Sequence, residues 1–331
     1  MKNFTKRLLV NSGAMHAVMK FKARGAVILT YHSVRHELEP DVDWVGPGIT
    51  HVSEVFSRQM ELVATRFNPV TLDDILLFLK GKKELPGYPV LVTFDDGFLD
   101  NVEVAAPILS RYGIRAAFYL TVGLIGSSEA PWYSRLRHGV LTTERKSWTS
   151  SLHGREWDLS SPAARDAALL AAYDACAPMV KEAQREAVNT IQKELDVAPE
   201  LPPRRMMMNW EEAKSLCRAG HVVGSHTITH PNVAYIKDSD ELRSELGESK
   251  RIIEERLGEQ VNHFSYPHPA LTPQWDEKTV AATREAGYVS AVTMTKGPVR
   301  KGANPLALKR INAPRAEHEF LWNLEKAFLK S

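Results

Sequence analysis

A chain of 331 residues, 44% hydrophobic and 25% charged, has enough apolar material to bury one large core or two ordinary ones, which excludes a disordered or low-complexity polypeptide. Its 42 Lys and Arg nearly cancel its 40 Asp and Glu, and the residual charge of +2 is too small a field for nucleic acid to be the partner. The two cysteines, Cys176 and Cys217, stand in unrelated contexts, which excludes a disulfide framework and a thiolate zinc site.

The N-terminus is basic. Lys2, Lys6, Arg7, Lys20, Lys22, Arg24 and Arg35 occur before the first acid, but Asn11, Ser12 and Gly13 break the apolar stretches between them, so no signal peptide is read. No apolar run reaches the roughly 18 residues of a membrane span. Residues 1–25 are therefore read as a basic segment that forms a plain packing helix, the alternative being an amphipathic helix whose Phe4, Leu8, Leu9, Met15 and Met19 offer an apolar face to an anionic membrane. The expected location is the cytoplasm, and under that alternative the inner membrane surface as a peripheral protein.

From residue 26 to 331 strand and helix patterns alternate. Buried strands are predicted at Ala26 to Tyr31, Pro89 to Phe94, Arg115 to Leu120, His221 to Ser225, Val261 to Tyr266 and Tyr288 to Thr293. Helices are predicted from Ser53 to about Arg66, from Asn101 to a stop at Gly113, and from Asn209, which with Glu212 forms a capping box, to a stop at Gly220. Two more run from Asp240 to Gly258 and from Pro273 to Gly287. Repeated strand and helix imply a largely parallel sheet or barrel. The interval 126–205 breaks this rhythm, being rich in Ala, Arg and Glu without an obvious strand, and is read as a helical insertion. Its Trp132, Tyr133 and Trp157 suit stacking against a sugar.

Polar residues collect where strands end. Asp95 and Asp96 follow the strongest strand; consecutive side chains there diverge, so one carboxylate is free to bind a metal while its neighbour faces an attacking water. An acidic turn using Gly97 is the bland alternative. His226 and His230, four residues apart after another strand and followed by Pro231, bring two imidazoles to one face of a helix-like turn, and with one carboxylate they make a common site for zinc or a related divalent ion. Phe264-Ser265-Tyr266-Pro267-His268-Pro269 adds two ring side chains, Tyr266 and His268, and a backbone N–H at His268 suited to an oxyanion; a proline-rich turn over the core is the alternative. His32 ends the first strand, where it is either a structural histidine or the group that protonates a leaving amine, a task suited to an unperturbed pKa near 6.5. Four polar clusters at strand C-termini are what parallel α/β architectures use to build active sites.

These residues resemble the polysaccharide deacetylase family, also called the NodB-homology family or carbohydrate esterase family 4. Thr93-Phe94-Asp95-Asp96-Gly97 resembles its first motif, Ser225-His226-Thr227-Ile228-Thr229-His230-Pro231 its second, and Phe264-Ser265-Tyr266-Pro267-His268 a variant of its third. The resemblance runs from Ala26 to Arg310 outside the insertion and implies a distorted (β/α) barrel of about seven strands. It implies Asp95 as the base and Asp96, His226 and His230 as ligands of one divalent ion, Zn2+ being expected with Co2+, Ni2+ or Fe2+ as alternatives. Tyr31-His32 resembles a subgroup in which an early histidine supplies the general acid. Three positions depart from the pattern: Ser265 stands where many members have an arginine that holds the base, His268 replaces a tyrosine, and Leu308-Lys309-Arg310 replaces a Leu-x-His motif. The implied reaction is hydrolysis of the N-acetyl group of an amino sugar, in a glycan or lipid-linked precursor, releasing acetate. Three other readings compete: an amidase of the same fold acting on a small cyclic amide or ureide, a non-catalytic glycan-binding relative, and a non-haem iron oxygenase, whose ligand order fits poorly.

Overall fold

Seven short runs of apolar and β-branched residues pair into one closed parallel sheet. A computed structural model describes residues 25–37, 44–152 and 154–329; the basic segment expected at 1–25, with its membrane-facing residues, lies outside the described residues except for Gly25. The strands are β1 (Val27–Tyr31), β2 (Pro89–Phe94), β3 (Ala116–Leu120), β4 (Val222–Ser225), β5 (His263–Ser265), β6 (Ser290–Lys296) and β7 (Leu308–Asn312). Each pairs with the next, and β1 pairs with both β2 and β7, which closes the ring. Parallel neighbours need crossovers, and helices such as Ser53–Arg66, Trp210–Arg218 and Glu277–Glu285 supply them. A register shift between Val292 and Lys296 of β6 against β7 accounts for the distortion.

Alternation along the strands sorts the core. Val27, Leu29 and Tyr31 of β1 join Phe56, Met60, Phe320 and Phe328 in the cluster under the helices. Ala26 and Ile28 instead join Leu91, Ala117, Tyr119, Val292 and Leu308, in a cluster that also takes in Val70, Leu72 and Ile75 after the short strand that pairs with the start of β2. With that end filled by apolar side chains, the polar residues are left to the opposite end, where β2 and β4 run out into Asp95 and His226.

The sequence indicates six of the seven strands but not β7, because Lys309 and Arg310 give it the look of a charged loop. Two helices also differ from their expected form. The helix expected from Pro273 starts at Glu277, since Asp276 caps it through the Thr279 N–H, and the one expected from Asp240 contains a π-helical stretch, Ser244–Glu248. The Asn209 and Glu212 capping box forms as read, with hydrogen bonds of 2.9 and 2.6 Å.

Residues 126–205 follow β3. They hold the helices Trp132–Thr142, Pro162–Cys176 and Lys181–Glu194, but also an antiparallel hairpin, Ser147–Ser150 with Arg155–Asp158, which the wholly helical reading omits. The hairpin's strands are polar except for the cross-strand pair Trp148 and Trp157, so no apolar run betrays them. Leu136, Val140, Trp148, Leu169, Val188 and Ile191 give this segment a core of its own. Among the described residues no helix is long and apolar enough to cross a membrane.

Gly224 in β4 marks how tightly the barrel is filled: a Cβ there would lie 2.6 Å from the Tyr119 ring and 2.7 Å from the His263 carbonyl oxygen. Gly224→Ala is expected to destabilise the protein by about 1–3 kcal/mol, the usual result of overpacking, read as a lower urea midpoint at unchanged m. An unchanged midpoint would show that the barrel has slack at this level.

Candidate active site

The end of β2 carries two consecutive carboxylates, each 2% exposed. Burial alone would keep both protonated, so their partners decide the chemistry. Asp95 faces Arg310, itself 1% exposed, in a two-pronged ion pair: Nη1 lies 2.8 Å from Oδ1 and Nη2 2.7 Å from Oδ2. Burial pushes the Asp95 pKa up, but the Arg310 charge, aided by His226 and the paired hydrogen bonds, outweighs it and holds the carboxyl below its ordinary value. Arg310 is in turn held by the Thr293 carbonyl at 3.1 Å, the Thr93 hydroxyl at 3.2 Å and the Ser265 hydroxyl at 3.0 Å.

Asp96 turns the other way. Its φ of +77° directs the carboxylate toward His226 and His230, whose Nε2 atoms lie 3.4 and 3.2 Å from Oδ1. Ligand atoms of these three residues fall within 4.8 Å of one another. The His226 Nδ1 lies 2.8 Å from the Ser265 carbonyl, to which it donates, and this leaves its Nε2 lone pair for a ligand. Burial, ahead of the opposing pull of Asp96, lowers the His230 pKa, so that ring is neutral near pH 7 and also has a lone pair to give. Asp96 Oδ1 is buried without a hydrogen-bond partner among the described residues, as expected of an atom that faces a cation. These donors fit a divalent ion of the zinc type.

His226 and His230 do not lie on a helical turn. Thr227 and His230 have φ of +68° and +59°, and Pro231 is followed only by a 3₁₀ turn, Val233–Tyr235. Strained backbone of this kind costs about 1–3 kcal/mol per residue and needs support. Glu245, on the π-helical stretch, provides it: its buried carboxylate accepts from the Ile228 and Thr229 N–H groups at 2.7 and 3.0 Å and from the Thr229 hydroxyl at 2.7 Å. Nothing in its helical sequence context separates Glu245 from a solvent-facing acid.

His32 leaves the end of β1 partly exposed, and its carbonyl accepts from Asn101 Nδ2 at 2.6 Å. Asp100 takes the Ser33 hydroxyl and the Val34 N–H, so 100–101 anchor the turn that presents His32; burial pushes the Asp100 pKa up to about 6. His268 lies exposed beyond β5, and its N–H has no backbone partner among the described residues. Tyr266 is not brought to the site: its hydroxyl donates into the core, 3.1 Å from both the Thr283 hydroxyl and the Leu306 carbonyl, and its N–H bonds to Val292.

The insertion reaches the centre. Tyr133 donates its hydroxyl to Asp96 Oδ2 at 2.9 Å, and Trp132 donates Nε1 to the His230 carbonyl at 3.2 Å. The polar edges of these two rings are thus engaged with Asp96 and His230, and the Arg155 guanidinium lies over the Trp157 ring, 4.1 Å from its centroid.

Three comparisons agree with this geometry. The sequence profile described as polysaccharide deacetylase matches residues 82–291, more than half of the chain. The chain belongs to that family. YxkH of Bacillus subtilis (strain 168), named as a polysaccharide deacetylase, is 22% identical over 285 residues, covering 86% of this chain and 70% of that protein. Among solved structures, the Streptococcus pyogenes deacetylase PplD in complex with acetate shares the fold at a TM-score of 0.60 and 16% identity, and IcaB from Ammonifex degensii at 0.59 and 19%; each covers 92% of this chain and 99% of the other. The chain is thus a hydrolase of carbon–nitrogen bonds other than peptide bonds, with the (β/α) barrel that the family implies.

Arg310→Met would strand a buried carboxylate and is expected to cost about 3–5 kcal/mol of stability. Because the folded Asp95 pKa is depressed, the contribution of the pair is present above the ordinary carboxylate value and is lost as pH falls through the folded pKa, so this gap should narrow in acid. The acid limb of kcat/KM for acetate release should move to higher pH. Arg310→Lys keeps the charge but not the fork, so its acid limb should stay while kcat falls by about a hundred-fold from misplacement of the Asp95 carboxylate. Identical limbs in wild type and the Met variant would remove Arg310 from the control of Asp95.

Proposed function

We propose that the protein removes N-acetyl groups from an amino sugar of a glycan or glycan precursor by metal-dependent hydrolysis, Zn2+ being the expected ion and Co2+, Ni2+ or Fe2+ workable substitutes. The observation that carries this reading is the pairing of an ionised, arginine-held Asp95 with an adjacent Asp96–His226–His230 cluster whose facing carboxylate oxygen has no hydrogen-bond partner. A divalent ion held there would supply polarisation of the acetyl carbonyl and a lowered pKa for a water.

The chain's own residues do the rest. Asp95 accepts the proton of the attacking water, and Arg310 keeps it ionised and aimed. With the Tyr266 phenol engaged in the core, the N–H at His268 is the donor on this segment for the developing oxyanion. His32 protonates the departing amine, without which an amide carbon–nitrogen bond does not break at a useful rate. The depth of the site supports a small acyl group as the part that enters, since Asp95, Asp96 and His226 are each only 2% exposed.

Asp95→Asn should abolish acetate release while the purified protein still holds stoichiometric metal, because Asp95 is assigned no ligand role. His226→Ala with His230→Ala should lose metal and activity together, and full metal occupancy in that double variant, by elemental analysis, would overturn the ligand assignment. His32→Ala should keep the metal and lower kcat by about a hundred-fold or more. If kcat were unchanged, His268 would become the acid to test. A panel of N-acetylated glycans that yields neither acetate nor free amine, against ring opening of a cyclic amide, would replace the sugar reading with the amidase one.

A further inference from the structure

The two oxygens of Asp96 have different fates. Oδ1 faces the His226 and His230 Nε2 atoms and lacks a hydrogen-bond partner, whereas Oδ2 accepts the Tyr133 hydroxyl at 2.9 Å. Tyr133 sits at the start of the helix Trp132–Thr142 in the insertion, and its ring packs 5.1 Å from His230 at a tilt of 55°. Its neighbour Trp132 donates to the His230 carbonyl and belongs to the insertion's own core with Leu136 and Val140. A carboxylate with both oxygens free can grip a cation with two bonds, while a hydrogen bond to the second oxygen engages one of its lone pairs and competes with a second metal bond.

We propose that Tyr133 is a positioning residue of the metal centre: by occupying Oδ2 it makes Asp96 a one-oxygen ligand, keeps the coordination number low, and makes the insertion a structural part of the site. This inference rests on the metal reading above and extends it to a segment outside the barrel. A low coordination number leaves positions for a water and for the acetyl oxygen, and it favours ions content with four or five ligands over those that demand six.

The test uses the full chain, stripped of metal with a chelator and refilled. Zinc affinity is measured by competition with a chromophoric chelator, and coordination is read from the visible absorption of the Co2+ form, whose bands are intense for four or five ligands and weak for six. Tyr133→Phe keeps the ring and removes only the hydroxyl; zinc Kd should rise by about 10- to 100-fold and the cobalt bands should weaken, with the far-ultraviolet circular dichroism of the metal-free protein unchanged. Trp132→Phe removes the donor to the His230 carbonyl but leaves both Asp96 oxygens as they are, so it should preserve the cobalt bands. An unchanged Kd and unchanged bands in Tyr133→Phe, with Asp96→Asn losing the ion, would overturn this inference and leave the metal reading standing. A wild-type protein that binds neither zinc nor cobalt would overturn both.

Discussion

Two neighbouring carboxylates, each almost wholly buried at the end of one strand, can be ionised together only if each has its own compensation. This constraint organises the molecule. Arg310 answers Asp95 from inside the barrel, while the imidazoles of His226 and His230 and the Tyr133 hydroxyl surround Asp96. The two acids diverge because Asp96 adopts a left-handed backbone conformation and Gly97 follows with φ of +89°. Adjacent in sequence and alike in chemistry, they are thereby given different surroundings, one suited to carrying a proton and the other to holding a cation.

The supports of the site come from further out. Thr227 and His230 are held in costly conformations by Glu245, a buried acid whose acceptors are used by two N–H groups and a hydroxyl of the same loop. Glu245 itself lies where the helix widens into a π-helical stretch, a distortion often found where a side chain must be aimed at a site. On the opposite side Asp100 and Asn101 fix the turn that carries His32. Asp95 is braced from a strand by Arg310, and the loop of His226 and His230 and the turn of His32 are braced by polar side chains of neighbouring helical segments.

Much of this was legible in the sequence, and what was not shares a cause. Strands with unbroken apolar runs, such as Pro89 to Phe94, announce themselves, as do motifs in which residue type and spacing fix the chemistry, such as Asp95-Asp96 and His226-x-x-x-His230. Residues that work through unusual burial do not. A fully buried arginine in Leu308–Asn312 looks like a surface residue, so the strand and the partner of Asp95 were hidden together. A pattern of Leu308 and Arg310 alternating with Lys309 was the one local sign. Tyr133 and Trp132 were visible as aromatic residues, but their hydroxyl and indole N–H are used for hydrogen bonds to the ligand residues, and only the fold brings helix and site together. Tyr266 erred in the opposite direction: its motif position pointed to the site, whereas alternation at the end of β5 turns its ring to the outer core.

The departures of this chain from the family pattern become consistent once closure of the barrel is considered. The pattern places an arginine at the end of the fifth strand and a histidine at the end of the last; here the fifth strand offers Ser265, the last offers Arg310, and the histidine is His32 on the first. β1 pairs directly with β7, with Leu29 opposite Ile311, so the strands that carry His32 and Arg310 are neighbours in the ring. β7 carries the guanidinium that β5 lacks, and Ser265 of β5 is in contact with it through a 3.0 Å hydrogen bond. A closed parallel ring has no first or last strand at its rim, so each function can be supplied by any strand whose side chain reaches the same point. Here the guanidinium opposite Asp95 comes from β7, and the partly exposed imidazole of His32 stands at the end of the strand beside it.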